Sequence, residues 1–449
     1  MRLLPERELV KAVWSLAWPT VTYALLQSLV QMADVFMVGR LGRDAISGVG
    51  FSLQLMMLLM IGALAVSTGA TTLVAQLVGA GEKREAGEAG RQAIITMFMF
   101  AGAVSVPVVI LARPALRLMG ADPPVLAHGV PYMQITFAGV ALMGLNFAAS
   151  AVFRGAGDVK TPVKIAAVTN AVNLVLNYLL IFGPGPVPAL GVAGAALGTV
   201  SARGVAGIVS VVLLSRKGGK IRVRWANRLT LRPDLLRRML RVGLPSAGAG
   251  FFRNGARVLF FRVVAATASH AVAIPALTVA FRMRMLAVMP ALAFQVAATT
   301  LVGQAIGAGD RDRAGRLGWA AIRMCALIMV VVSAAVFVAA RPITLLFHRD
   351  PSVYATSIQV LRSVAFGQVF SAVSIVTGGA LAGAGDTRPA LAYTVISQWL
   401  ILLPLSILFG LVLGWDATGA WWAWAVAAVP HAGLALARFA SGHWRRIRV

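Results

Sequence analysis

Of the fifteen acidic residues in this 449-residue chain, Asp34 alone falls within an apolar stretch long enough to cross a bilayer. A carboxylate in such a place is costly to keep, and its usual work is to carry a proton or bind a cation as its surroundings open and close. Candidate partners occur in the segment NAVNLVLNYLLIFG from Asn170, where Asn173 and Asn177 stand four apart and share one helix face. Their amides can donate to a carboxylate, and their oxygens can ligate sodium. The same residues have plainer readings. Asp34 lies about one turn from the outer end of its stretch, where water could reach it, and buried asparagines also serve as interhelical glue. A second polar group, Arg253, Asn254 and Arg257, lies in a later apolar stretch. Arg253 and Arg257 share a helix face, and lipid exposure would be costly, so the spacing places them against a cleft or substrate path, an aqueous channel or a bound headgroup. Pro19 removes one backbone hydrogen bond from the first stretch and is a candidate hinge, or else a static kink. It lies 15 residues before Asp34, roughly 22 Å along an ideal helix and too far for contact.

The elements that must hold these residues are membrane helices. With 59% hydrophobic and 12% charged residues, the chain is too apolar for a soluble globule of its length. Twelve stretches approach the ~20 residues that a bilayer core requires; the fourth runs over 124–151. The chain is also duplicated. TTLVAQLVGAGEKREAG from Thr71 returns as TTLVGQAIGAGDRDRAG from Thr299, an offset of 228 that also maps Ala112, Asp122 and Pro123 onto Ala340, Asp350 and Pro351, and Gly155 to Asp158 onto Gly383 to Asp386. Six spans per repeat make both halves enter from the same side, so the expected fold is all-α, two six-helix bundles related by a pseudo-two-fold axis along the membrane normal. The expected units are an N-lobe over 1–215, a basic cytoplasmic linker over 216–241 lying on anionic headgroups, and a C-lobe over 242–449. Gly79, Gly81, Gly307 and Gly309, where spans meet charged loops, are placed to end helices in left-handed conformation.

Charge placement sets the orientation. Of 41 Lys and Arg, the loops on one side hold only Arg40, Arg43, Arg113, Arg117, Arg341 and Arg349, so the opposite side, with both termini, is expected to be cytoplasmic. This accounts for the net charge of +26 without nucleic acid. Cys325 is alone, which excludes an intrachain disulfide. The first span has no small-residue cleavage site and is expected to stay in the protein. No P-loop lysine follows the glycine motifs. His128, His270, His348, His431 and His443 are scattered, so no enzymatic or metal-ligand constellation is expected.

LVAQLVGAG from Leu73, LVGQAIGAG from Leu301, FRGAGDVKTP from Phe153, LAGAGDTRP from Leu381, GVAGAALGTV from Gly191 and the opening from Leu16 to Gly42 resemble the repeated motifs of multidrug and toxic compound extrusion transporters over nearly the whole chain. The resemblance is closer to the DNA-damage-inducible-type branch than to branches with an acidic residue in helix seven. It implies twelve helices in two lobes, Asp34 as the cation-coupling residue, and Asn173, Asn177 and Thr199 as the rest of an N-lobe site. Asn177 stands where some members carry a second aspartate, which favours proton over sodium coupling. Offset 228 from Asp34 gives Arg262, so the acidic site is not duplicated. The expected function is a secondary antiporter that exports amphipathic organic compounds or drugs by alternating access, in exchange for protons or alternatively sodium. It would be a monomer in the bacterial cytoplasmic (inner) membrane, in contact with lipid and a small organic substrate and without a cofactor. The alternative is a flippase or exporter of an anionic lipid-linked precursor, which the arginines would suit.

Overall fold

The computed structural model describes residues 6–184, 186, 188–225, 231–267, 270–347 and 351–447, which are helical with no strand among them. His348 and Asp350 lie outside these residues, as do 226–230 of the linker. The chain forms two compact units, Thr22–Gly243 and Met1–Val21 with Leu244–Val449. The first helix, α1 (Glu6–Gly39), is therefore divided: its part up to Val21 groups with the second half of the chain, not with the 1–215 lobe that the sequence suggests.

The unit Thr22–Gly243 continues through α2 (Arg43–Gly79), α3 (Lys83–Ile110), the short α4 (Ala112–Leu118), α5 (Pro123–Ala138), α6 (Val140–Gly155), α7 (Lys160–Phe182) and α8 (Gly191–Ser215). The other unit holds most of α9 (Pro233–Ala265), then α10 (His270–Gly307), α11 (Arg311–Val338), α12 (Ala340–Phe347) and α13 (Pro351–Gly383). It is completed by α14 (Arg388–Val395), α15 (Leu403–Ile407), which lies between widened π-type stretches at Ile396–Leu402 and Leu408–Val412, and α16 (Asp416–Ala440). Among the described residues ten helices are long and apolar enough to span a membrane, eleven if a bent pair counts as one span. The remaining long helix, α9, carries Arg253, Arg257 and Arg262 in its second half.

The duplication is visible helix by helix. The ends of α2 and α10, both ends of α3 and α11, and the starts of α7 and α14 fall at the same offset of 228. Both repeats close the α2-type helix alike: Ala80 N donates to Gln76 O and Ala308 N to Gln304 O, each at 2.9 Å. Gly81 (φ 81°) and Gly309 (φ 77°) take the left-handed conformation, whereas Gly79 and Gly307, paired with them in the sequence reading, are simply the last helical residues. Close helix contact is repeated too. Thr71 Oγ1 donates to Ala151 O (3.1 Å) and Thr299 Oγ1 to Gly379 O (2.9 Å). A Cβ on Gly155 would stand 2.7 Å from Thr71 O, and one on Gly383 would collide with Thr299 O.

The stretch 124–151 is carried by two helices: α5 and α6 meet at Gly139 with a 50° bend. Val200 of α8 fills the space that a Cβ on Gly139 would need, and Ser105 of α3 donates to Phe137 O (2.5 Å) at the break. In the second repeat α13 is continuous, and Ser333, the residue equivalent to Ser105, is buried with no hydrogen-bond partner among the described residues. The linker, over its described length, folds back on its own unit. Lys220 Nζ donates to Gly157 O (2.7 Å), Trp225 Nε1 to Ser215 Oγ (2.9 Å) and Arg232 N to Gln92 Oε1 (3.1 Å). Arg232 pairs with Glu85 (3.2 Å) and Asp234 (2.7 Å), and its hydrogen bond holds the Asp234 carboxyl below the ordinary carboxylate range.

The repeated glycine contacts make a stability prediction. Gly155→Ala and Gly383→Ala force packed backbones apart and are each expected to cost about 1–3 kcal/mol. Gly102→Ala, where nothing stands within 4 Å of the new Cβ, is expected to be neutral or to gain about 0.5–1 kcal/mol from helix propensity. Thermal stability of the detergent-purified variants checks this ranking; unchanged stability at Gly155 and Gly383 would show that the contacts are dispensable.

Candidate functional site

In the unit Thr22–Gly243 the four residues of the expected N-lobe site form one hydrogen-bonded chain. Asn177 Nδ2 donates to Asp34 Oδ1 at 2.8 Å. Asn173 Nδ2 lies between Asn177 Oδ1 (3.4 Å) and Thr199 Oγ1 (3.3 Å), donating toward both. Asn173 and Asn177 are buried, at 2% and 1% exposure, and Asp34 is half-buried. The helical spacing does what it promised: residues i and i+4 of α7 present two amides in a row, and α1 and α8 supply the ends.

What brings α8 close enough is its glycine spacing. A Cβ on Gly194 would strike Leu180 O, and one on Gly198 would strike Asn177 Oδ1 and come within 3.1 Å of the Asn177 backbone nitrogen. Small residues four apart let membrane helices approach to backbone contact, and here that approach seats Thr199, the next residue, beside Asn173. Gly198 was thus part of the site all along, signalled by the Gly194 and Gly198 spacing inside GVAGAALGTV. Arg203, four residues after Thr199 on the same helix, was also missed. It is half-buried, and its charge acts on both Asp34 and Tyr132. A basic residue one turn from a site residue within an apolar span was the available signal.

An amide N–H of Asn177 meets the Asp34 carboxylate, and the Asn177 oxygen is engaged by Asn173. The carboxylate can exchange a proton or offer its oxygens to a cation. Among the described residues no cluster of His, Cys, Asp and Glu could hold a metal ion.

Pro19 lies inside α1, two residues before the point where the helix passes from one compact unit to the other. Its missing N–H leaves Ser15 O without its helical donor. On the near side of the proline, Trp14 stacks on Trp18 (5.8 Å between ring centroids) and meets Phe294 (6.3 Å).

In the other unit, Arg253, Asn254 and Arg257 come together as expected, lining a cavity of about 110 Å³. Arg257 Nη2 donates to Asn254 Oδ1 at 2.6 Å. Arg284 of α10 and Gln398 of the widened stretch join them; neither was singled out from sequence, since no spacing rule links separate helices. Arg262, the residue at the repeat position of Asp34, is exposed and not part of the cavity lining.

The MatE family model matches residues 19–179 and 245–408. A probable multidrug resistance protein NorM of Thermotoga maritima is 29% identical, over 98% of this chain and 94% of that one. An FAD transporter of Shewanella oneidensis is 24% identical, over 84% and 83% respectively. A MOP superfamily transporter from Pyrococcus furiosus, described as having a binding pocket of reverse polarity, shares the fold with a TM-score of 0.88 at 21% identity, over 97% of this chain and 96% of that one. With the family model covering most of its length, the chain belongs to the MatE family: it is a multi-pass membrane transporter and not an enzyme.

Proposed function

We propose that this chain is a secondary active antiporter that exports amphipathic organic compounds by alternating access in exchange for protons, with Asp34 as the coupling residue. The observation that carries the reading is the hydrogen-bonded chain from Thr199 through the buried Asn173 and Asn177 to the half-buried Asp34. An ionisable side chain held by polar neighbours inside a membrane bundle is the ordinary mark of ion handling. Donor rather than oxygen facing Asp34, the absence of a second aspartate at Asn177 and the nearby positive charge of Arg203 all favour protons over sodium. Multidrug resistance proteins among the relatives support organic solutes as substrates. The protein would work as a monomer in the bacterial cytoplasmic membrane with both termini cytoplasmic, consistent with the sparse basic residues of the opposite loops. N- and C-lobes would move about α1, with Pro19 as hinge where that helix changes unit.

A second reading, export or flipping of an anionic lipid-linked precursor, is favoured by one observation, the arginine-lined cavity. A relative that transports FAD shows an anionic cargo in a similar protein.

In proteoliposomes, Asp34→Asn is expected to reduce proton-gradient-driven efflux to the rate seen without a gradient, while a sodium gradient drives neither wild type nor variant. Retained proton-driven efflux in the variant would overturn the assignment. Asn177→Asp adds a second carboxylate and a free set of oxygens, so sodium-driven efflux is expected to appear in that variant; its absence would remove Asn177 from the account of ion choice. Pro19→Ala restores the missing helical hydrogen bond and is expected to slow coupled efflux several-fold with little loss of thermal stability, which separates a moving hinge from a static kink.

A further inference from the structure

The cavity in the second unit is basic and aromatic at once. Arg253 and Arg257 enter from α9 and Arg284 from α10, and no lining residue carries a carboxylate. Among the described residues no ion pair neutralises any of the three. They are close enough for Arg253 and Arg257 both to act on the charge of Arg284, so in a space of low dielectric they repel one another until an anion enters.

Each of two guanidinium groups is already held in a way that leaves donors free. Arg284 lies over the Trp424 ring at 4.3 Å and Arg257 near the Phe281 ring at 5.6 Å. Stacking on an aromatic face engages the plane of a guanidinium and leaves its edge N–H groups for an oxyanion. Asn254 fixes Arg257 through its oxygen, which keeps that fork oriented. The aromatic wall is ordered in turn: Trp421 packs edge-to-face on Phe260 (5.3 Å) and against Trp424 (6.1 Å). Gln398 reaches the cavity from a widened turn, where Leu403 N donates to Gln398 O across five residues. Such turns occur often at functional sites.

We propose that this cavity is a binding site for an organic anion carrying an aromatic ring, a phosphate, sulfonate or carboxylate seated on the arginine edges with its ring against the tryptophan wall. The proposal rests on the transporter reading for its purpose and specifies the substrate class; binding itself does not depend on ion coupling.

The test is calorimetry on the full chain in phosphatidylcholine nanodiscs, with phenyl phosphate, inorganic phosphate and phenyltrimethylammonium as probes. Phenyl phosphate is expected to bind at least 10-fold tighter than inorganic phosphate, and phenyltrimethylammonium not to bind at the cavity. Arg257→Gln with Arg284→Gln is expected to weaken phenyl phosphate at least 10-fold. Trp424→Leu is expected to weaken phenyl phosphate but not inorganic phosphate, and Arg262→Gln to change neither. Should the double variant fail to fold, Arg284→Gln alone and the charge-reversed probe on wild type decide the question. Replacing part of the lipid with phosphatidylglycerol tests the ring as well as the charge: no competition supports a free aromatic anion, whereas displacement of phenyl phosphate by this ring-free lipid phosphate would overturn the aromatic requirement. Equal or tighter binding of the cation, no phenyl phosphate binding, or binding unaffected by loss of the arginines would overturn the proposal. Retained proton-driven efflux in Asp34→Asn with anion binding intact would instead remove only the coupling reading.

Discussion

A polar side chain placed among apolar helices must find its partners on those helices, because lipid offers none. The 2.8 Å bond between Asn177 and Asp34 meets that requirement and joins α7 to α1. It depends in turn on how near α7 and α8 come. Gly198 admits the Asn177 side chain, and Gly194 admits the α7 backbone; with larger residues at these positions Thr199 would stand away from Asn173, and the donor chain would end in an unsatisfied amide. The chemistry of the site is therefore set by side chains that have no chemistry.

The two repeats show which parts of the sequence answer to packing alone. Gly155 and Gly383 meet the backbone of the equivalent threonine, and both repeats end their second helix with the same left-handed glycine. Elsewhere a single change redirects a conserved position. Asp158 caps α7 by accepting from Thr161 N (3.0 Å) and Thr161 Oγ1 (2.6 Å). The residue equivalent to Thr161 is Pro389, which has neither donor, and Asp386 pairs instead with Arg438 at 2.8 Å. Ser105 and Ser333 diverge for the same sort of reason: the first serves a carbonyl at the bend of α5 and α6, and the second has no such break to serve.

This explains how far the sequence could be read. Helix ends and the repeat were legible because glycine and proline act locally, and the polar chain was legible because Asp34, Asn173 and Asn177 are rare residue types in their spans. Thr199 was reached only through family resemblance, since one threonine in an apolar helix is ordinary. The bend at Gly139 was not legible: its repeat partner Gly367 sits within a continuous helix, and the difference lies in Val200 and Ser105, which come from other helices. Arg284 was missed for the same reason, as only the fold brings α10 beside α9. The linker's contacts with Gly157, Ser215 and Gln92 were not legible either, because they are tertiary and no local spacing signals them.

The charged groups of the two units are not altered copies of one site. At the repeat offset, Arg253, Arg257 and Arg284 correspond to Leu25, Leu29 and Met56, while Asn173, Asn177 and Thr199 correspond to Ile401, Leu405 and Ala427. Apart from Asp34, whose repeat position holds the exposed Arg262, each of these site residues is polar where the other unit is apolar, so the two polar groups are separate features of a common scaffold. That separation has an energetic consequence under the proposed roles. Exchange of one outgoing cation for one proton moves no net charge, and the membrane potential cannot drive it. Exchange of one outgoing anion for one proton moves two positive charges inward. At about 2.3 kcal/mol per charge per 100 mV, such a cycle would draw roughly 4.6 kcal/mol from a 100 mV potential in addition to the pH gradient. A single proton site, unduplicated in the second unit, is then sufficient to drive an anion outward against a steep gradient.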